Sequence, residues 1–398
     1  MSVFDRRYEL MPRRELEQLQ LERLQALLAR LRRNVRRCRE QIGDATVESL
    51  DRLQSLPLTT PEDVARSFPY GMFALPLREV IRLHSAVGPE GKPLIIGYTR
   101  NDLAHWGRLV ARQLVASGMT ANDVIQVCLG GGVYPGASGY MLGAELIEAS
   151  VIAEDPFHVD YQLAMLQNYR PTILITTPTN ALELIRLMEL RRIDPQSLHL
   201  RTVLLSRPVP AETRAQLRAG LFAAVQCNFG LDEILDPGLC VECESGRFHV
   251  NEDHFLVEVV QGELVVTTLN REATPMLRYQ TRVAGQISPD KCPCGRTGVV
   301  IVPGERLDRR WLVNETPLYQ NQIADVLDQT ELAGHLLDIA VRERHVVISV
   351  ELTEALLSDT IWRLENLQRK TEAEFLARLG VPAKVRFVAS PRARQEHS

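Results

Sequence analysis

From about Val80 the chain alternates short apolar runs with amphipathic stretches. Glu79–Leu83, Leu94–Tyr98, Val124–Leu129, Ala149–Ala153, Thr172–Thr176 and Thr202–Leu205 read as strands, being aliphatic and β-branched runs bounded by turn residues. Between several of them, Arg100–Ser117, Val159–Tyr169, Asn180–Leu190 and Ala211–Leu221 carry apolar residues at helical spacing. Strand–helix alternation of this kind predicts parallel sheets flanked by helices, an α/β fold. From Gly246 to Ile301 the pattern changes to strands and turns (FLVEVV, GELVVTTL, GVVIV). Beyond Gly304 a short α+β pattern follows: helix Gln320–Leu327, strands near Leu337–Val341 and Val346–Leu352, helix Ala355–Leu379 and strand Val385–Val388. A domain boundary is therefore expected near Gly304, dividing the chain into 1–303 and 304–398. At the other end, Leu16, Leu19, Leu21, Leu24 and Leu28 recur at helical spacing among arginines and glutamates. They predict a solvated helix packing on the main body. A further helix should start at Thr60, with Pro61 at its first position.

Composition narrows the class. A chain of 398 residues exceeds one compact core. Its formal net charge of −4 points to no nucleic-acid or membrane surface. The apolar runs are too short to span a bilayer, and the charged start (MSVFDRRYELMPRRELEQLQ) does not resemble a signal peptide. A soluble, cytoplasmic protein is expected. Of the seven cysteines, four lie in two close pairs, Cys240/Cys243 and Cys292/Cys294. In a long chain of this type such spacing favours metal ligation over a disulfide framework.

Eight segments, in order, carry a more specific signal: LPLTTPED (56–63), FPYGMFA (68–74), GKPLIIGY (91–98), FGLDE (229–233), EDHF (252–255), ELVVTTL (263–269), LRYQTR (277–282) and CPCGRT (292–297). Together they resemble the phenylacetate–CoA ligase family of adenylate-forming enzymes, including its zinc-bearing coenzyme F390 synthetase relatives, over essentially the whole chain. The resemblance implies the adenylate-forming fold, with a large N-terminal domain of layered sheets and helices and a small mobile α+β C-terminal domain. It also implies ATP, magnesium and CoA as partners of a small carboxylic acid, and a homodimer, which is common among relatives. A carboxylate attacks ATP to give an acyl-adenylate and pyrophosphate; CoA thiolate then displaces AMP. By matching position, Lys92, Glu233 and Arg306 are the catalytic candidates, with Glu233 at the magnesium-binding place. Gly88, Gly91, Phe229, Gly230 and Asp308 are the nucleotide-binding candidates.

Against that pattern the nucleotide-handling motifs depart repeatedly. The phosphate loop keeps Gly88, Gly91 and Lys92, but Pro89 removes an amide donor and Glu90 adds a negative charge, as a tight turn between strands would tolerate. Ser206-Arg207-Pro208 replaces the small residues on which adenine lies. Asp232 stands where a hydroxyl residue is usual. Val283 stands where an aspartate clamps both ribose hydroxyls. Glu315 replaces a glycine of the CoA channel, and no lysine follows Lys384 to approach the reacting carboxylate. In the acyl pocket the glycine-rich stretch with Tyr134 is kept, while Met141, Leu142 and Asn180 replace the usual His-Tyr pair and a tyrosine. Ligase activity is therefore expected to be impaired or lost. The alternatives are an acyl- or partner-binding pseudoenzyme and an ATP-independent acyl-CoA-binding enzyme.

The same resemblance implies one structural zinc held by Cys243, His249, Cys292 and Cys294. Cys3His is a closed tetrahedral set. Cys240 is then a spare or substitute ligand, Cys38, Cys128 and Cys227 are core cysteines, and His254 is a packing residue.

Overall fold

The computed structural model describes residues 2–88, 92–129, 136–153, 158–308, 310–314, 316–333, 337–352 and 361–389. The chain divides into two compact units, Met1–Ala86 with Pro93–Asp308, and Val87–Lys92 with Arg309–Ser398. Gly304 lies within a strand, and the main division follows a few residues later at Asp308.

At the centre of the larger unit is a parallel sheet of five strands, β3 (Val124–Cys128), β4 (Ser150–Ala153), β5 (Ile173–Thr176), β6 (Thr202–Leu205) and β7 (Ala224–Cys227), in the order β4-β3-β5-β6-β7. The intervening helices α6 (Gly136–Leu146), α7 (Val159–Tyr169), α8 (Pro178–Arg191) and α9 (Ala211–Leu221) are the crossovers that parallel pairing demands. Ile125, Ile173, Leu174, Val203 and Leu204 are fully buried, which explains their near-continuous apolar runs. Helix α8 starts where its cap dictates. Thr177 Oγ1 accepts from Asn180 N at 3.1 Å, and Pro178 occupies the first turn.

Strands β1 (Arg82–Val87) and β2 (Pro93–Tyr98) form a separate pair leading into α5 (Arg100–Ala116). The first strand was expected at Glu79–Leu83. It starts later because Leu77–Glu79 closes a 3-10 turn, and Ile81 and Leu83 face outward. The second sheet is antiparallel: β8 (Cys240–Glu242), β9 (Phe248–Val250), β10 (Phe255–Val260), β11 (Glu263–Thr268), β12 (Tyr279–Ser288) and β13 (Val300–Arg306), ordered β10-β11-β12-β13-β9-β8.

Three N-terminal helices, α1 (Arg6–Glu9), α2 (Arg13–Asn34) and α3 (Arg36–Ile42), pack on this body. α2 buries Leu16, Leu24 and Leu28 of the predicted stripe together with Leu27 and Leu31, while Leu19 and Leu21 are half-buried and Arg13, Arg23 and Arg30 bond the main body. α4 (Pro61–Arg66) begins at Thr60 with a full capping box: Thr60 Oγ1 accepts from Asp63 N, and Asp63 Oδ2 from Thr60 N. In the smaller unit, β14 (Arg310–Val313) pairs with β15 (Thr316–Tyr319), followed by α10 (Gln320–Leu327). A sheet of β16 (Leu337–Val341), β17 (Val346–Leu352) and β18 (Ala383–Ala389) is covered by α11 (Ile361–Leu379). Ile323, Val326, Ile348, Val350, Phe375 and Val385 form its core.

Candidate functional site

In open parallel sheets, ligands bind beyond the carboxyl ends of the strands. At that edge of the five-stranded sheet the chain gathers buried polar side chains. Just past β6 is Ser206 and just past β7 is Asn228. Ser206 Oγ and Asn228 Oδ1 are buried without a hydrogen-bond partner, as is the hydroxyl of Tyr140 on α6. Near β3 and β5, Gln126, Gln162, Thr176 and Asn180 form a buried cluster. Burying such groups unpaired costs free energy that cores normally avoid. The sequence reading singled out Asn180 and Ser206 at this edge but missed Gln126 and Gln162. The available signal was a glutamine in the middle of the apolar run VIQVC.

The FGLDE segment lies along the same rim, past β7. Phe229 is buried with its ring 6.3 Å from Phe248. A Cβ at Gly230 would fall 2.2 Å from Asp236 Oδ1, so the backbone passes too close for any side chain. Asn228 Nδ2 and Asp236 Oδ1 hydrogen-bond at 2.5 Å, fixing that approach. Glu233 is buried, 8% exposed. Behind the segment, the Trp106 indole donates to the Pro237 carbonyl at 2.6 Å. Tyr98 stacks on Trp106, and the Arg271 guanidinium lies 3.9 Å over the Tyr98 ring. Burial, then the charges of Arg82 and Arg271, push the neighbouring His84 down to about 4, so its ring is neutral.

At the phosphate-loop position, Gly88 N donates to the Lys92 carbonyl at 2.8 Å. Pro89, Glu90 and Gly91 lie outside the described residues, as do Tyr134, Glu315 and the segment after Ala389. Val283 is 4% exposed in β12 and registers with Arg306 on β13. The LRYQTR segment is pinned at both ends. Arg278 donates to both oxygens of Glu258 (2.9 and 3.0 Å) and to the Gln54 and Leu56 carbonyls. Thr59 N, from LPLTTPED, donates to the Arg278 carbonyl, and Gln280 N donates to the Thr59 carbonyl. Arg306 and Asp308 form a bidentate pair at 2.6 and 2.7 Å.

Cys243, His249, Cys292 and Cys294 converge, with one potential ligand atom from each lying within 4.8 Å of the others. Cys243 Sγ is 3.6 Å from Cys292 Sγ, and Cys294 Sγ is 3.2 Å from His249 Nε2. Tetrahedral ligation at about 2.3 Å per sulfur separates two sulfurs by about 3.8 Å, so the cluster fits a zinc-sized cation. His249 Nδ1 is 2.9 Å from the Gly298 carbonyl, which selects the Nδ1–H tautomer and leaves Nε2 as the donor to metal. Burial first, with the adjacent thiols adding to it, raises Cys294 to about 11. A central cation would reverse that preference. Cys240 is buried outside the cluster, while Cys38, Cys128 and Cys227 are buried in the apolar core.

EDHF is an anchor for the N-terminal helices. Glu252 accepts from Arg13 Nη1 and Val299 N, and its carbonyl accepts from Gln20 Nε2. Asp253 receives two bonds from Arg112, at 2.7 and 2.8 Å. Burial pushes Asp253 up, but the hydrogen bonds and charge of Arg112 outweigh it and hold the carboxyl down at about 2. His254 is pushed down to about 3 by burial and packs against His105, ring centroids 5.2 Å apart, as a neutral packing residue.

The fold and the rim together define an adenylate-forming CoA ligase architecture. 2-Hydroxyisobutyryl-CoA ligase, solved with 2-HIB-AMP and CoA, superposes with a TM-score of 0.86 at 22% identity, covering 97% of this chain and 89% of that one. The chain belongs to the phenylacetate–CoA ligase family: it is 32% identical to the phenylacetate–coenzyme A ligase of Thermus thermophilus over 95% of this chain and 93% of the relative. The Escherichia coli enzyme of the same name is 30% identical, over 87% and 84%. No family model matches the chain. Among the described residues no helix is long and apolar enough to cross a membrane.

Proposed function

We infer that this is a phenylacetate–CoA ligase-like protein that binds a small carboxylic acid at the carboxyl edge of the parallel sheet, with ATP-dependent ligation impaired or lost. The observation that carries this reading is Val283. It is buried in β12 where the family motif has an aspartate, and valine accepts no hydrogen bond. Ribose hydroxyls left unpaired against it cost about 1–3 kcal/mol. Asp232 adds a second obstacle, since its charge opposes a triphosphate. The second reading, a working ligase on a small acid, is favoured by the buried Glu233 and the Arg306–Asp308 pair. In that reading Glu233 holds magnesium, Lys92 and Arg306 carry the developing charge, and Gly88, Gly91, Phe229, Gly230 and Asp308 hold the nucleotide.

Zinc at Cys243, His249, Cys292 and Cys294 completes the proposal. Four protein ligands leave no open coordination position, so its contribution is structural.

Restoring the missing acceptor tests the reading. Val283→Asp, with Ser or Thr introduced at Pro89 and Glu90, is expected to tighten ATP binding by about tenfold or more. An unchanged affinity in a variant that folds would place the ribose site elsewhere and remove Val283 from the argument.

A further inference from the structure

The cluster near β3 and β5 has an asymmetry that its own bonds do not resolve. Asn180 Nδ2 spends both hydrogens, on Gln162 Oε1 at 2.8 Å and Thr176 Oγ1 at 2.7 Å. Gln126 Nε2 spends both of its own, on the Gln162 carbonyl at 3.2 Å and Cys128 Sγ at 3.4 Å. The two carboxamide oxygens, Asn180 Oδ1 and Gln126 Oε1, are buried with no partner. Gln126 is fully buried and Asn180 is 4% exposed, so bulk water does not serve them. Turning either amide over by itself trades two satisfied donors for one satisfied acceptor.

Two buried acceptors left open in this way are placed to receive a donor from outside the cluster. Their position supplies the context. Thr176 ends β5, Asn180 sits in the first turn of α8, and Gln126 faces them from β3 next to β5 in the sheet. Thr176 and Asn180 stand at the ligand-binding edge of the parallel sheet, and Gln126 lies two residues inside it. We propose that Asn180 and Gln126 form the specificity end of the acid-binding site, selecting a carboxylic acid whose tail carries a hydroxyl or amino hydrogen-bond donor over one with a plain apolar tail. The inference rests on the acid-binding reading given above, but not on whether ligation is retained. A site built around buried acceptors discriminates strongly because the analogue lacking the donor leaves them unpaired.

The test uses the full-length, metal-loaded protein and binding calorimetry with phenylacetate, 3-hydroxyphenylacetate, 4-hydroxyphenylacetate and 4-aminophenylacetate. At least one donor-bearing acid is expected to bind at least about tenfold tighter than phenylacetate. Asn180→Leu should bring the affinities for the donor-bearing acid and for phenylacetate to within about twofold of each other, a change in ratio that a general loss of stability would not produce. Gln126→Met, which keeps the Asn180 bonds to Gln162 and Thr176, serves if Asn180→Leu does not fold. Equal affinities for all four acids, no binding of any, or a preference that survives both variants overturns the proposal. Pyrophosphate release with ATP is recorded separately. A donor preference with turnover keeps this inference and contradicts impaired ligation. No preference and no turnover discards the inference and leaves impaired ligation standing.

Discussion

Arg112→Met is expected to lower the unfolding free energy by about 3–5 kcal/mol, because it strands Asp253 as a buried, uncompensated charge. Both side chains are 2% exposed and share two hydrogen bonds, at 2.7 and 2.8 Å. Arg112 also bonds Asn251 Oδ1 at 3.1 Å and faces Asp5 at 3.4 Å, so one guanidinium joins α5, the EDHF turn and the N-terminal segment. Asp5 keeps a second partner in Arg108 at 2.8 Å, whereas Asp253 has no comparable substitute. The double variant Arg112→Met with Asp253→Leu removes both charges and should recover most of the loss, since apolar replacement of a buried pair is often close to neutral. Urea denaturation of the two variants checks this. A single variant within about 0.5 kcal/mol of the parent would show that the pair does not hold these elements together.

Cys292→Ser is the second large effect. Loss of one of four ligands should abolish stoichiometric zinc and destabilise the protein by more than about 4 kcal/mol, in the range of metal-site losses. The loop carrying Cys292 and Cys294 is tied to the rest of the chain by its next residues. Arg296 Nε donates to Glu9 Oε2 at 3.0 Å, and Thr297 N donates to the Glu9 carbonyl at 3.2 Å. Glu9 Oε1 in turn accepts from Phe4 N and Asp5 N. Loosening the cysteine loop therefore loosens the seat of the N-terminal segment, and the effect exceeds that of an ordinary surface turn. Metal analysis of protein purified without chelator is expected to find about one zinc per chain. Absence of zinc, or a Cys292→Ser variant as stable as the parent, would reduce the cluster to packed thiols.

Where local chemistry sets the element, the fold is legible in the chain. The Thr60 and Thr177 caps, the leucine spacing of α2 and the apolar runs of β5 and β6 each depend on a few adjacent residues. The start of β1 was less legible, because Ile81 and Leu83 look like core residues but face outward after a 3-10 turn. The family motifs were readable as a set, but several of their roles were not. EDHF holds α2 and α5 through Arg13–Glu252 and Arg112–Asp253, while LPLTTPED and LRYQTR hold one another through the Thr59–Arg278 bridge. These bonds join positions far apart in the chain, so periodicity and local propensity carry no trace of them. The acceptor-rich cluster was hidden for the same reason. Gln126 and Gln162 are 36 residues apart, and that the Gln126 and Asn180 amides spend their donors inward is decided by packing alone. What separates scaffold from chemistry is thus the partner, not the residue type. Asp253 serves packing because Arg112 neutralises it.

The central claim is that the fold has kept its acid-binding edge while its nucleotide site is impaired. Calorimetric titration of the zinc-loaded protein with Mg·ATP, and then with AMP, tests it most directly. The account predicts no saturable heat from either nucleotide at millimolar concentration. Micromolar binding of either one would contradict it, restore the working-ligase reading, and make pyrophosphate exchange across small acids the next measurement.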